Sequence, residues 1–392
     1  MNTTKVILDD VSLNITDGTH STVIDNPDGD CYLLSCKNIK NGKINLAPTD
    51  RKISKEQLLL LKKRTQLEKN DVLLTTVGTI GEVSIVGDDN PNYDFQRSVG
   101  IIKPNTCIVN PKFLYYVLKN EHSQIVNLAN GAVQQCLFIG DIKRIQIELP
   151  PLALQNKIVD LLEPIDSKIA ANEKVNNNLL QQAQAVFAKE FLSFDRMPDG
   201  WKESSLLGIA DYLNGLAMQK FRPKDGENGL PVLKIKELRQ GSCDANSELC
   251  SPSIKKEYIV HDGDVIFSWS GSLLVDFWCG GTCGLNQHLF KVTSTSFDKW
   301  FFFAWTDHHL QKFAAIAADM ATTMGHIKRE ELTKAEVLVP PQDEYERIGG
   351  LLAPIYDLVV ANRIENRKLT TLRDELLPQL MSGNLDISEV SI

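Results

Sequence analysis

The chain has 392 residues, of which 43% are hydrophobic and 23% charged, with a formal net charge of −8. This is an ordinary soluble profile, long enough for two or three domains with cores of their own. No stretch reaches the roughly 18 apolar residues of a membrane span, and the opening MNTTKVILDD lacks the basic and apolar regions of a signal peptide, so a cytoplasmic location is expected.

The first 150 residues alternate short apolar runs with Gly, Asn, Asp and Pro, and the pattern predicts strands within residues 31–36, 71–76, 98–102 and 144–149. Helices are expected over residues 54–67 and 111–128, the second opened by Pro111 in its first turn. After Pro150 and Pro151 the period changes to that of a helix. From there to residue 179 the sequence recurs at residues 340–369, at a constant offset of 190, with 11 of 30 positions identical. The order before the prolines also recurs: DVLLTTVGT from Asp71 matches DVIFSWSGS from Asp264, and FLYYVL from Phe113 matches WFFFAW from Trp300. A unit this long is too large for a solenoid repeat of about 20–50 residues. The chain is therefore read as α+β: two globular mixed domains, each closed by a similar helix.

Ile158, Ile165, Asn172, Leu179 and Val186 are spaced by seven, as are Ile348, Ile355, Asn362, Leu369 and Leu376. Such a seam predicts that the two helices pack antiparallel as a coiled coil, with Asn172 and Asn362 fixing register. The alternative is two amphipathic helices, each lying on its own domain. Pro164 and Pro354 should kink or restart the helices. Residues 165–192 would span about 42 Å.

The motifs of several chemistries are missing: no GxxxxGK[ST], GxSxG or HExxH occurs. Asn90-Pro91-Asn92-Tyr93 lacks the second proline of an adenine-methyltransferase motif and reads as a polar turn. Cys279, Cys283 and His288 have no counterpart in the first half, and the eight cysteines follow no repeating spacing, so reduced thiols and no metal are expected. No catalytic residue is assigned. Charge is silent on nucleic acid, because residues 1–150 carry 17 basic and 17 acidic side chains while residues 338–392 carry 5 and 9.

Two globular halves, each closed by a helix opening with Leu/Val-Pro-Pro, resemble the specificity (S) subunit of type I restriction-modification systems. Asp17-Gly18-Thr19-His20, the two Asp-Val strands and the closing Leu380-Met381-Ser382-Gly383-Asn384-Leu385-Asp386 fit as well. Gln155 and Tyr345 depart from the Glu-Gln often found after the prolines. The resemblance implies target recognition domains at 1–147 and 196–337, and helical regions at 148–195 and 338–392. It implies that each domain reads one half of a bipartite, asymmetric site in double-stranded DNA. The helices would set the spacer and dock two methyltransferase (M) subunits, with nuclease-translocase (R) subunits joining. S-adenosylmethionine, ATP and magnesium would belong to those partners, and this chain would bind no cofactor and perform no catalysis.

On that reading, Lys62, Lys63, Arg64, Lys220, Arg222 and Lys224 are phosphate candidates. Thr75, Thr76, Thr79, Ser268, Ser270, Gln96, Arg97, Asn286 and Gln287 are candidates for base readout, with Ser272 in the same polar turn. Gln134 and Gln135, opposite Met324 and Gly325 in the second half, join them. Trp269, Trp278, Trp300 and Trp305 are expected in the core. The rival reading, from a different class, is a non-catalytic scaffold presenting two protein-binding modules on a coiled coil.

Overall fold

A computed structural model describes residues 3–131, 135–319, 327–385 and 387. The chain divides into two compact units, residues 1–166 with 371–392, and residues 167–370. The division falls inside the two long helices rather than at the domain boundaries drawn from the sequence.

In the first unit, an antiparallel sheet runs in the order Ser12–Asp17, Val99–Pro104, Val72–Thr75, Val83–Ile85. A second sheet pairs Cys31–Leu34 antiparallel with Lys52–Ile53 and parallel with Tyr93–Phe95. A ribbon joins Thr4–Ile7 to Gln146–Leu149. Helix α1 (Lys55–Thr65) starts at Ser54, whose hydroxyl accepts from the Gln57 amide. Helix α2 (Pro111–Asn120) starts at Asn110, whose side chain accepts from the amides of Lys112 and Phe113. The predicted second helix breaks after Asn120 and resumes as a short turn, His122–Asn127. Residues 113–118 of α2 are buried on all sides, because the helix is wedged between the first sheet and the helix that follows Pro151.

The second unit repeats this plan. Its antiparallel sheet runs Asp211–Asn214, Leu289–Thr293, Val265–Ser268, Leu274–Phe277. A mixed sheet pairs Leu230–Leu233 with Leu249–Cys250 and, in parallel, with Cys283–Leu285. The ribbon is Lys202–Ser205 with Glu336–Val339. The repeated Asp-Val motif has the same structural cause in both halves. Asp71 pairs with Lys103 at 2.9 Å and Asp264 with Lys291 at 2.8 Å, and each carboxylate also accepts the amide three residues before it.

The Pro-Pro pairs are followed by α3 (Leu152–Phe191) and α5 (Gln342–Met381), with α4 (Lys299–Asp319) between them in sequence. Each long helix has 40 residues, about 60 Å of rise. The kink or restart expected at Pro164 and Pro354 does not interrupt either helix. Both prolines are exposed, as are residues 160 and 350 four positions earlier, so water can take the carbonyl that proline leaves unbonded. Gln155 and Tyr345, the departures from the expected Glu-Gln, do one job: each accepts the backbone amide of an N-cap residue, Asn110 at 2.8 Å and Asp298 at 2.8 Å. These caps set the phase of α2 and α4, so Phe113 corresponds to Phe301 rather than to Trp300.

Within the second unit α3 and α5 pack antiparallel. Asn172 donates to Asn366 at 2.8 Å, and Asn362 donates to Asn176 at 2.8 Å. Asn366 donates to the Ile169 carbonyl at 3.2 Å, and Asn176 to the Val359 carbonyl at 3.5 Å. Adding 190 to each α3 member, and subtracting it from each α5 member, turns one pair of bonds into the other. The asparagine quartet therefore has twofold pseudosymmetry, as in an isologous contact. Asn172 and Asn362, the residues expected to set register, thus bond Asn366 and Asn176 across the helix pair. In the first unit the same antiparallel sense appears in Arg373 on Asp166 at 2.7 Å, with Asp166 also accepting the Tyr116 hydroxyl at 2.7 Å.

Candidate nucleic-acid interface

In the first unit three connections meet at one end of the antiparallel sheet. The segment after Ser12–Asp17 is held by Gly18 N–H on the Val99 carbonyl (3.1 Å), Thr19 N–H on Phe95 (2.8 Å) and Arg97 N–H on Thr19 (3.1 Å). A side chain at position 18 would press into the Phe95 and Gln96 carbonyls, so only glycine fits. The turn after Val72–Thr75 joins through Thr76 N–H on Ser98 (2.9 Å), and the segment after Asn130 through Leu137 N–H on Thr76 (2.9 Å). His20, Gly78, Thr79, Arg97 and Gln135 stand exposed around this junction.

The second unit builds the same junction with other side chains. Gly215 N–H bonds Leu289 (3.0 Å), Leu216 N–H bonds Leu285 (2.9 Å), Gln287 N–H bonds Leu216 (2.8 Å) and Ile327 N–H bonds Trp269 (3.1 Å). Gly215, like Gly18, abuts carbonyls, here those of Leu285 and Asn286. Around it lie Trp269, Gly271, Ser272, Gln287 and His288. Trp269 donates to Asn214 at 3.1 Å and is half-buried, unlike Trp278, Trp300 and Trp305, which are in the core as expected.

Several sequence candidates lie beneath these surfaces. Thr75 is fully buried, its hydroxyl bonding the Thr79 carbonyl and accepting the Glu82 amide. Thr76 bonds the Arg97 carbonyl at 3.2 Å, and Ser268 the Ser270 carbonyl at 3.2 Å. Asn286 is buried and accepts the His288 amide at 3.2 Å. These four side chains build the turns and do not present themselves to a duplex; polar residues in a tight turn serve its backbone first. Ser270 is buried but bonds outward, to His288 Nδ1 at 3.2 Å. Gln96 is half-buried, and Arg97, Thr79 and Gln135 are exposed. Gln134, Met324 and Gly325 lie outside the described residues.

The basic clusters are also sorted by their contacts. Lys62 bonds the Pro91 carbonyl at 2.6 Å, and Arg64 pairs with Asp17, which holds His20 at 2.6 Å. Arg64 thus ties the end of α1 to the glycine junction. Lys63 is exposed and has no ion-pair partner among the described residues. Lys220 and Lys224 are exposed, while Arg222 pairs with Glu248 at 3.3 Å, shared with Lys234 at 2.8 Å. Lys37, Lys234 and Lys236 lie beside the junctions and were not picked out from sequence, while His20 and His288 were noted there for other reasons than base readout. His288 was findable there, because it sits 190 residues after Ser98.

The cysteine and histidine set does not converge. Cys279 approaches the Val360 carbonyl, Cys283 lies against Cys243, and His288 faces Ser270. Among the described residues no group of side chains could hold a metal ion, and all eight cysteines are free thiols. Among them, too, no helix is long and apolar enough to cross a membrane. α5 grips the second domain through Arg367 on Asp262 (2.7 Å) and Arg363 on Asp276 (2.6 Å); the Arg367 hydrogen bond holds the Asp262 carboxyl below its ordinary value.

Residues 14–181 and 198–372 each match the family model described as type I restriction modification DNA specificity domain. The MjaIX specificity subunit of Methanocaldococcus jannaschii is 23% identical over 346 residues, 82% of this chain and 79% of that protein. The HindI specificity subunit of Haemophilus influenzae is 21% identical over 412 residues, 81% of this chain and 87% of that protein. Among solved structures, an S subunit from M. genitalium shares the fold with a TM-score of 0.60 at 15% identity, covering 97% of this chain and 96% of that one. With two matched copies accounting for both halves, the chain belongs to the family of type I restriction-modification DNA specificity proteins.

Proposed function

We propose that this chain is the DNA-specificity subunit of a type I restriction-modification complex, each domain reading one half of a bipartite, asymmetric site. The observation that carries the reading is the pair of matched junctions. One main-chain framework, built twice, presents His20, Thr79, Arg97 and Gln135 in one copy and Trp269, Ser272, Gln287 and His288 in the other. Equal frames with unequal side chains suit two different half-sites. Exposed Lys63, Lys220 and Lys224 supply the sequence-independent phosphate attraction that such binding requires.

The antiparallel helices set the unread spacer and dock two M subunits, with R subunits joining for cleavage. Val175, Leu351 and Leu358 are 44%, 47% and 46% exposed on the outer faces of α3 and α5, apolar surface suited to a protein partner. The chain itself supplies recognition and no chemistry; S-adenosylmethionine, ATP and magnesium belong to the partners.

The test is methylation mapping by long-read sequencing in a host carrying this chain with its cognate M subunit. A split motif supports the reading. Its absence, with the complex assembled, favours the protein scaffold.

A further inference from the structure

The two junctions end in one turn, residues 96–98 in the first unit and 286–288 in the second. In each, the amide after the turn bonds the carbonyl of its first residue: Val99 to Gln96 at 3.1 Å, Leu289 to Asn286 at 3.0 Å. Positions 97 and 287 are therefore the same place in two copies of one frame.

What stands at that place differs. Arg97 is exposed, and its guanidinium has no hydrogen-bond or ion-pair partner among the described residues. Gly78, Thr79 and Gln135 at the junction carry no charge, and the nearby Asp17 carboxylate is already paired with Arg64 and His20. A free guanidinium presents parallel donors, which match the two acceptors O6 and N7 of guanine in the major groove. Gln287 offers one donor and one acceptor, the complement of adenine N6 and N7. Its amide has a polar neighbour on one side. The Gln287 Nε2 lies 3.4 Å from His288 Nε2, while His288 Nδ1 lies 3.2 Å from the Ser270 hydroxyl. One Gln287 N–H faces His288 Nε2, and the other imidazole nitrogen faces the Ser270 hydroxyl. The second N–H and Oε1 are left to face outward together.

Building on the DNA-specificity reading above, we propose that Arg97 reads a guanine in the half-site of the first domain and Gln287 an adenine in that of the second. In this arrangement Ser270 and His288 are positioning residues that orient the Gln287 amide. Arg97 could instead grip a phosphate, and that alternative has a distinct signature.

The experiment maps methylated motifs for the assembled complex of wild type, Arg97→Gln, Gln287→Arg and His288→Ala, with affinity measured on matched and singly altered duplexes. Arg97→Gln should change or relax one guanine of a single half-site, with discrimination at that letter falling about 10- to 100-fold. The other half-site and the spacer should not move. Gln287→Arg should do the same to one adenine of the other half-site. His288→Ala should relax that one adenine while its neighbours keep their preference, whereas a merely structural loss would weaken every letter of the half-site together. An unchanged motif with a uniform fall in affinity for Arg97→Gln would place Arg97 on a phosphate and overturn the inference, leaving the specificity role standing. A wild-type complex with no split motif would remove the specificity role itself, and the inference with it.

Discussion

The asparagine quartet makes a quantitative prediction because its pseudosymmetry is broken at one point. Asn172 Nδ2 donates twice, to Asn366 at 2.8 Å and to Glu365 at 2.7 Å. Its counterpart Asn362 donates to Asn176 at 2.8 Å, and the position corresponding to Glu365 is Val175, which can accept nothing. Replacing Asn172 with Leu removes two hydrogen bonds and leaves the Asn366 side-chain oxygen without its donor. The half-buried bond to Asn366 and the oxygen left unpaired there should cost about 1–2 kcal/mol, and the bond to the more exposed Glu365 carboxylate adds to that. Asn362→Leu removes one, and should cost about 1–2 kcal/mol. The double variant Asn172→Leu/Asn366→Leu replaces both partners with apolar side chains and should be less destabilised than the sum of its singles by about 1 kcal/mol or more. The assay is urea unfolding followed by helical circular dichroism, with hydrogen exchange on peptides covering residues 167–180 to localise the change. Equal costs for Asn172→Leu and Asn362→Leu, or strict additivity in the double variant, would refute the reasoning.

Lys63→Ala should weaken DNA binding evenly across sequences and lower the slope of log affinity against log salt by about one, while Lys62→Ala, which loses the Pro91 carbonyl, should lower stability; salt titrations and thermal unfolding separate the two. Because Arg367 holds the Asp262 carboxyl below its ordinary 3.8, the pair stabilises the fold above that pH, and the contribution is lost as acid protonates the folded carboxylate. Arg367→Ala should therefore lower the unfolding midpoint at pH 6 and narrow its difference from wild type below pH 3.8, which unfolding at several pH values will show. Adding seven residues to both α3 and α5 keeps the seam in phase and lengthens the pair by about 10 Å, so the spacer should grow by about three base pairs with the half-site letters unchanged in methylation mapping.

The architecture was legible in the sequence because helix packing repeats locally. Identities at an offset of 190 exposed the two copies, and apolar residues every seven positions marked the helices. That count followed only one line of the seam. Residues 162, 169, 176 and 183 form the other, so Asn176 and Asn366, the partners of Asn362 and Asn172, stood outside the count. The helices run on through Pro164 and Pro354 because water can reach the carbonyl one turn earlier, which a sequence does not display. The site was half legible. Arg97 is exposed and Gln287 half-exposed, whereas Thr75, Thr76, Ser268 and Asn286 look the same in sequence and are committed to main-chain partners. Side-chain direction in a turn is set by contacts from other segments, and those are long-range.

The glycine junctions have a consequence for how such a protein diversifies. Gly18 and Gly215 allow the frame around positions 97 and 287 to be fastened by peptide groups together with the buried side chains of Thr76, Ser268 and Asn286, none of them at the two tips. Peptide groups are the same whatever residue carries them. A mutation at position 97 or 287 therefore leaves the bonds of the frame in place and is tested by selection chiefly on the letter it reads. The two tips also vary independently, so a lineage can keep one half of its address while rewriting the other.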